Sequence, residues 1–165
     1  MSALPTKDRY TDQLQWASMQ VSDIDEVVHI EQQAYPFPWT RGNFVDSLST
    51  HYDAWVLRDA NQLLAGYFLL MHAVDEVHLL NITVRPDLQG RGVGRLLLDK
   101  VRQQATEAGM TSVLLEVRPS NQHALMVYGH LGFEHIGLRK NYYPAGSGER
   151  EDAIVMRLTL GAGSR

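Results

Sequence analysis

The pattern with the clearest chemical potential is a set of three glycines at alternate positions, Gly90, Gly92 and Gly94. They follow an apolar stretch and precede a segment with helical periodicity. Glycines leave the backbone N–H groups uncovered and let the chain bend tightly, while the helix start presents the positive end of its dipole. A diphosphate would suit such a turn. The alternative is a glycine turn that only packs a helix against a strand.

Other phosphate-binding and nucleophilic patterns do not fit this chain. A nucleotide P-loop needs Gly-Lys-Ser/Thr at the helix start, where residues 92–95 read Gly-Val-Gly-Arg. A dinucleotide fingerprint needs GxGxxG in the opening βαβ unit, followed by an acidic residue after the next strand. The sequence contains no Gly-x-Ser-x-Gly elbow and no cysteine. The lack of cysteine excludes a thiolate nucleophile, and the lack of the elbow argues against a serine hydrolase, in which the glycine loop would have no purpose.

Two side chains could move protons. Glu116 lies inside the apolar run 113–117, where desolvation is expected to raise the pKa of its carboxyl towards the range of a useful base. The alternative is a strand-end carboxylate that is bonded to neighbouring amides or paired with Arg118. Tyr128 shares a helical face with Asn121 and Leu125, so its phenol could act as a proton donor. The alternative for Tyr128 is a core aromatic whose hydroxyl is bonded.

The hydrophobic periodicity predicts the elements that position these residues. We expect a helix from a Ser22/Asp25 capping box towards Ala34 and a second short helix capped by Thr40. Residues 54–57 and 63–71 should be antiparallel strands joined by a turn at 59–62. The remaining prediction is a strand at 78–84, a helix at 93–108 closed by Gly109, a strand at 113–117, a helix capped by Ser120 or Asn121 and ended by Gly132, and two late strands at 136–142 and 153–158.

This order of elements predicts an α+β fold with a mixed sheet and a parallel βαβ unit at its centre. The length suits one domain, residues 1–160, with a flexible tail at 161–165.

A net charge of −4 without a Lys/Arg run gives no sign of a nucleic-acid partner. The first residues lack the apolar core of a signal peptide and no stretch could span a bilayer, so we expect a cytoplasmic protein without a membrane partner. Seven scattered histidines show no ligand spacing, and no metal is predicted.

The spacing Gln89-x-x-Gly92-x-Gly94 resembles the acetyl-CoA loop of the GCN5-related N-acetyltransferase (GNAT) superfamily. The resemblance extends over nearly the whole chain and narrows to the bacterial branch that acetylates the N-terminal alanine of a small-subunit ribosomal protein. It rests on five blocks in the same order, at residues 80–84, 115–121, 124–133, 141–144 and 150–153. The implied fold is a mostly antiparallel mixed sheet with a central parallel βαβ unit flanked by helices.

The resemblance implies direct transfer of the acetyl group from acetyl-CoA to an amine in a ternary complex. It assigns Glu116 as the base and Tyr128 as the acid. The implied cofactor contacts are main-chain groups at Ile82, Thr83 and Val84 for the acyl-pantetheine arm, a pyrophosphate turn at Gln89, Gly90, Arg91, Gly92, Val93, Gly94 and Arg95, and the side chain of Asn121. We also expect the Val84 amide, left unpaired at a bulge or splay, to polarise the thioester carbonyl.

Two aromatic loops are the candidates for gripping the acceptor, with Phe37 and Trp39 in the first and Tyr142 and Tyr143 in the second. Residues 148–152 are a charged loop that could form an acidic lip for a basic substrate. The expected partner is the N-terminus of a protein, in particular a ribosomal protein. Acetylation of a polyamine or antibiotic and a non-catalytic acyl-CoA-binding module are the alternatives. The sequence leaves the oligomeric state open, and we favour a monomer.

Overall fold

The computed structural model of the protein describes residues 9–161. Within them the α-helices are α1 (Ile24–Ala34), α2 (Arg41–Ser49), α3 (Val93–Glu107) and α4 (Gln122–His130). The strands are β1 (Gln15–Ser18), β2 (Asp53–Arg58), β3 (Leu64–His72), β4 (Glu76–Val84), β5 (Ser112–Val117), β6 (Glu134–Pro144) and β7 (Arg150–Thr159). Short 3₁₀ turns occupy Tyr10–Gln13, Val21–Asp23 and Pro86–Leu88. The predicted tail lies almost entirely outside the described residues.

The strands are hydrogen-bonded in the order β1-β2-β3-β4-β5-β7-β6. The β4–β5 pair is parallel, while β1–β2, β2–β3, β5–β7 and β6–β7 are antiparallel. Because α3 connects β4 to β5, this parallel pair and its helix form the predicted βαβ unit. The prediction of a mixed, mostly antiparallel sheet is confirmed.

The chain divides into two compact units, one of Met1–Leu70 with Asn81–Val101 and one of Met71–Leu80 with Arg102–Arg165. In the first unit the core is built by apolar residues of α1, α2, β2 and β3, among them Ile24, Val27, Phe44, Val56 and Leu69. In the second unit the buried residues include Val113, Leu115, Phe133, Met156 and Leu158. The single domain inferred from chain length stays a prediction.

Local capping explains where the first two helices begin. Thr40 caps α2 as predicted: its Oγ1 accepts from the Asn43 N–H at 3.1 Å, and the Asn43 side chain accepts from the Thr40 N–H at 2.9 Å. The Ser22/Asp25 capping box ahead of α1 was a wrong prediction. The Gln20 N–H donates to the Asp23 carboxylate at 2.7 Å, and the 3₁₀ turn that this pair caps leads into α1. None of the described helices is long and apolar enough to cross a membrane.

Candidate active site

The glycine turn of the first unit links β4 to α3. Gly90 and Gly92 have φ values of +81° and +88°, a region that L-residues rarely adopt, so the bend depends on glycine. The Gly92 carbonyl accepts from the Leu96 N–H at 3.3 Å. The amides of 93–95 therefore precede the first helical hydrogen bond and are available to an anion at the helix start. Apart from its chain neighbours, a Cβ on Gly90 would meet no described atom within 4 Å, which leaves room for a diphosphate.

The end of β4 presents backbone groups on one edge. The Arg85 N–H donates to the Ala65 carbonyl of β3 at 2.9 Å. Because successive amides of an extended chain point to opposite edges, the Val84 N–H points away from β3. An N–H group that donates to the acyl oxygen of a bound thioester would need this direction. Gly66 of β3 allows close approach, since a Cβ there would lie 2.8 Å from the Thr83 carbonyl oxygen.

A buried polar cluster of the first unit supports this edge of β4. The Tyr35 hydroxyl donates to the Ile82 carbonyl at 2.9 Å and lies 2.9 Å from the Thr83 hydroxyl. Burial raises the pKa of Tyr35 to about 12, so the phenol stays protonated and can keep donating. Thr83 in turn donates to the Asn81 side chain at 2.8 Å. This role of Tyr35 could not be predicted, because nothing in the sequence pattern at 35–39 indicates a contact with residues 82 and 83.

The centre of the polar cluster is Glu31, whose side chain is buried. Its carboxylate accepts from the Tyr67 hydroxyl at 2.6 Å, from the Asn81 amide at 3.2 Å and from the Trp39 backbone N–H at 3.0 Å. The Trp39 ring packs on Phe44 with a centroid separation of 5.1 Å. These contacts of Trp39 fix the end of the segment 35–39, which contains two prolines, while the Phe37 ring is exposed.

In the second unit Glu116 lies in β5, with its side chain only 9% exposed. It forms an ion pair with Arg139 of β6, and its Oε1 lies 3.5 Å from Nε2 of His78 in β4. The Tyr142 phenol also interacts with this carboxylate and favours its charged form. Parallel pairing of β4 with β5 runs from Glu76 and Ser112 to Leu79 and Leu115, so Glu116 directly follows the last paired residue.

The charged neighbours decide the ionisation of Glu116. The His78 ring lowers the pKa of the Glu116 carboxyl most, Arg139 and Tyr142 add to this, and together they outweigh the opposite effect of burial. The predicted upward shift of its pKa was wrong, because these partners arrive from other strands. The alternative pairing with Arg118 is not what the structure shows: Arg118 forms its ion pair with Glu151 at 3.2 Å.

The two tyrosines of β6 lie beside this carboxylate. Their rings meet edge to face, with centroids 4.9 Å apart. Burial and the Glu116 charge raise the pKa of both Tyr142 and Tyr143, while Arg139 and Arg118 oppose the shift. Tyr142 is the more exposed ring and has Arg139 above it at 5.4 Å, whereas Tyr143 has Arg118 at 4.4 Å. The structure thus brings the predicted residues Glu116, Tyr142 and Tyr143 together with two that no sequence pattern indicated, His78 and Arg139.

The remaining predicted residues of this unit lie on α4. Asn121 is the N-cap, as predicted, and its side chain accepts from the Ala124 N–H at 3.2 Å. This leaves the amide nitrogen of Asn121 as the group that could reach a cofactor. Tyr128 packs against Phe133 with centroids 5.5 Å apart. The roles of Asn121 with the cofactor and of Tyr128 as the acid stay predictions.

The charged loop at 148–152 is largely engaged within the second unit. Glu151 accepts from the Ser120 backbone N–H at 2.8 Å in addition to its ion pair with Arg118. Asp152 accepts from the Asn141 N–H at 2.8 Å, and Arg150 donates to the Asn141 and Tyr142 carbonyls at 2.9 and 2.8 Å. These carboxylates hold β6 in place, so they form a poor basis for the expected acidic lip.

The structure combines a mixed sheet, a glycine turn that leads into α3, and a strand carboxylate, Glu116, that precedes the helix bearing Tyr128. This combination is typical of acyl-CoA-dependent transferases. Residues 24–133 match the acetyltransferase (GNAT) family, and the chain belongs to this family. It is therefore an acetyl-CoA-dependent N-acetyltransferase, as the sequence predicted.

Similar proteins indicate which branch of the family the chain resembles. The chain is 38% identical to the "[Ribosomal protein bS18]-alanine N-acetyltransferase" of Escherichia coli K12 over 87% of this chain and 96% of the relative. It is 39% identical to the protein of the same name from Haemophilus influenzae, over 87% of this chain and 97% of that one. The crystal structure of the ribosomal-protein-S18-alanine N-acetyltransferase from Escherichia coli aligns with a TM-score of 0.80 at 36% identity, covering 90% of this chain and 97% of that one.

Proposed function

We propose that this protein acetylates the α-amine of an N-terminal alanine on a ribosomal protein of the bS18 type. The observation that carries the proposal is the identity of 38% along 96% of a relative with that name. The surroundings of Glu116 support it, because an anionic carboxylate with the exposed Tyr142 ring beside it suits an ammonium group at a peptide end. A ribosomal-protein acceptor also implies a cytoplasmic location. A monomer is sufficient for this chemistry.

The proposed chemistry assigns a task to each group of the chain. A peptide α-amine has a pKa of roughly 7.7–8.0, so much of it is protonated near neutrality and must lose a proton before it attacks the thioester. Glu116 is the candidate base. The amide of Val84 would stabilise the carbonyl oxygen as it becomes negative. Tyr128 would protonate the departing thiolate, and no covalent acyl-enzyme is needed.

Separate parts of the chain would hold the two substrates. Backbone amides of the glycine turn and of Ile82 to Val84 would bind acetyl-CoA, with Asn121 as an additional contact. The exposed rings of Phe37 and Tyr142 would contact the acceptor peptide. We assign Trp39 and Tyr143 a supporting role at that site, because Trp39 is tied to Glu31 and Tyr143 packs under Arg118.

The test compares acceptors of similar charge. One is a short peptide that begins with alanine followed by a basic residue, a second is the same peptide with its α-amine already acetylated, and a third is a polyamine. We expect kcat/KM for the free peptide to exceed that for the polyamine by at least about tenfold, a difference of about 1.4 kcal/mol. Mass spectrometry should place the new acetyl group on the α-nitrogen. Modification of the blocked peptide would point to lysine side chains, and a preference for the polyamine would refute the ribosomal acceptor.

A further inference from the structure

The 3₁₀ turn Tyr10–Gln13 precedes the segment that matches the family, and the proposed function gives it no role. It contacts the glycine turn at two points. The Arg91 guanidinium carbon lies over the Tyr10 ring, 4.8 Å from the ring centroid. A Cβ on Gly92 would meet the Thr11 methyl carbon at 3.6 Å. Residues 10 and 11 therefore border the turn that is expected to bind the pyrophosphate.

The same 3₁₀ turn is anchored on the connection between β2 and β3. The Tyr10 hydroxyl donates to Asp59 Oδ2 at 3.2 Å, and the Gln13 side chain accepts from the Ala60 N–H at 3.3 Å. The other oxygen of Asp59 accepts from two backbone N–H groups of this connection at 2.9 and 3.1 Å, so the carboxylate is fixed. Burial and the Asp59 charge raise the pKa of the Tyr10 phenol, which therefore stays protonated and keeps donating.

We propose that Tyr10 is a positioning residue of the acetyl-CoA site: anchored on Asp59, its ring holds the Arg91 guanidinium beside the glycine turn, where Arg91 binds a phosphate group of the cofactor. The inference rests on the placement of acetyl-CoA in the proposed function and not on the acceptor. A cation–π contact consumes none of the N–H donors of the guanidinium. These donors can still make the planar, bidentate contacts that arginine forms with phosphate.

Comparison with Arg85 shows why Arg91 is suited to this role. The Arg85 guanidinium pairs with Asp87 at 2.8 Å and donates to a backbone carbonyl at 3.1 Å, so it is engaged within the protein. Among the described residues no carboxylate forms an ion pair with Arg91, which instead contacts the Tyr10 ring. Ordering a long side chain on binding costs free energy, and a guanidinium that a ring already holds avoids part of that cost.

Calorimetric titration with acetyl-CoA in the absence of any acceptor tests the proposal. Tyr10→Leu should raise the dissociation constant about two- to fivefold, the factor that corresponds to one cation–π contact near the surface. Arg91→Ala should raise it about tenfold or more, because the charged donor itself is lost. Tyr10→Phe keeps the ring face, so its affinity should lie closer to that of the unmutated protein than to that of Tyr10→Leu.

The combined variant Tyr10→Leu/Arg91→Ala separates positioning from a general structural effect. If Tyr10 acts through Arg91, the double variant should bind acetyl-CoA as Arg91→Ala does, because the ring then has no guanidinium to hold. A disturbance of the turn would instead add its full factor in both backgrounds. The matched control is Trp55→Leu, which also removes a ring that contacts a cation, Lys100 at 4.6 Å, further along α3. Its affinity for acetyl-CoA should equal that of the unmutated protein.

A second ligand identifies the phosphate that Arg91 binds. Acetyl-3′-dephospho-CoA retains the diphosphate and lacks the 3′-phosphate of acetyl-CoA. If the loss caused by Arg91→Ala disappears with this ligand, Arg91 binds the 3′-phosphate, and if the loss persists, Arg91 binds the diphosphate. With either ligand, the effect of Tyr10→Leu should be present only where that of Arg91→Ala is present.

The outcomes separate this proposal from the proposed function. Unchanged affinity in Tyr10→Leu, independent losses in the double variant, or a loss in Tyr10→Phe as large as that in Tyr10→Leu would overturn the role of Tyr10. None of these results concerns the acceptor, which the titration does not contain. If the acceptor assignment fails, the KM for acetyl-CoA with the amine that the enzyme does accept should still rise in Tyr10→Leu as the dissociation constant does. The kcat at saturating acetyl-CoA should then change less than about twofold.

Discussion

Substitution of Gly94 by alanine should affect cofactor binding and folding stability differently, so the two effects can be measured separately. Gly94 is the second residue of α3, and its φ lies outside the left-handed region. A Cβ there would meet Val84 Cγ2 at 3.6 Å, an ordinary contact. Gly92 is less suitable, because its φ of +88° would strain any other residue even without a ligand. Gly94→Ala therefore adds a methyl group to the turn without forcing the backbone.

The two expected effects have opposite signs. Alanine is favoured over glycine in a helix by up to about 1 kcal/mol, so the variant should be at least as stable as the original. If the methyl group prevents one backbone hydrogen bond to a phosphate, binding loses about 1.5–3 kcal/mol, the usual contribution of a hydrogen bond to a charged group. The dissociation constant for acetyl-CoA should then rise about 10- to 150-fold.

The matched control is Gly42→Ala. Gly42 is the second residue of α2, it is exposed, and a Cβ there would meet only the Thr40 hydroxyl at 3.7 Å. Calorimetric titration with acetyl-CoA gives the affinity, and thermal unfolding gives the stability. Gly42→Ala should match Gly94→Ala in stability and the unmutated protein in affinity. Equal affinity of all three proteins would refute the placement of the pyrophosphate against the start of α3.

Two further substitutions test the buried cluster and the proposed acid. Tyr67→Phe removes the 2.6 Å hydrogen bond to the buried Glu31 carboxylate, so it should lower the unfolding free energy by about 1.5–3 kcal/mol. The control is Tyr52→Phe at a half-buried tyrosine, which should lower it much less. Equal losses in denaturant titration would show that Glu31 does not need this donor. Tyr128→Phe should lower kcat about 10²–10⁴-fold with little change in the KM for acetyl-CoA, because the phenol is used only as sulfur leaves. Full turnover of this variant would assign protonation of the thiolate to solvent or to another group.

Local signals explain what the sequence could predict. The glycine turn, the parallel β4–α3–β5 unit and the caps at Thr40 and Asn121 each depend on residues close together in the chain, and the structure confirms them as elements. β1 was missed, since Gln15–Ser18 is a four-residue strand with three exposed positions and no apolar alternation. The error over the pKa of Glu116 has a different origin. His78 and Arg139 reach it only through the pairing of strands far apart in sequence, which no local pattern contains.

Glu31 and Glu116 both have largely buried side chains, but the groups that contact them differ, and this difference distinguishes a structural role from a catalytic one. Glu116 lies in an apolar run of the sequence, whereas Glu31 is followed by Gln32 and Gln33, and no local pattern marks Glu31 as buried. The observed donors to Glu31 are a phenol, a side-chain amide and a backbone N–H, all neutral and fixed in the first unit. Groups of that kind satisfy the hydrogen-bonding capacity of a buried carboxyl and hold it in one place. Glu116 is instead surrounded by an arginine, a histidine that can change its charge, and a partly exposed tyrosine. The second arrangement suits a group that exchanges a proton during each turnover, and on that ground we propose the catalytic role for Glu116 and a structural role for Glu31.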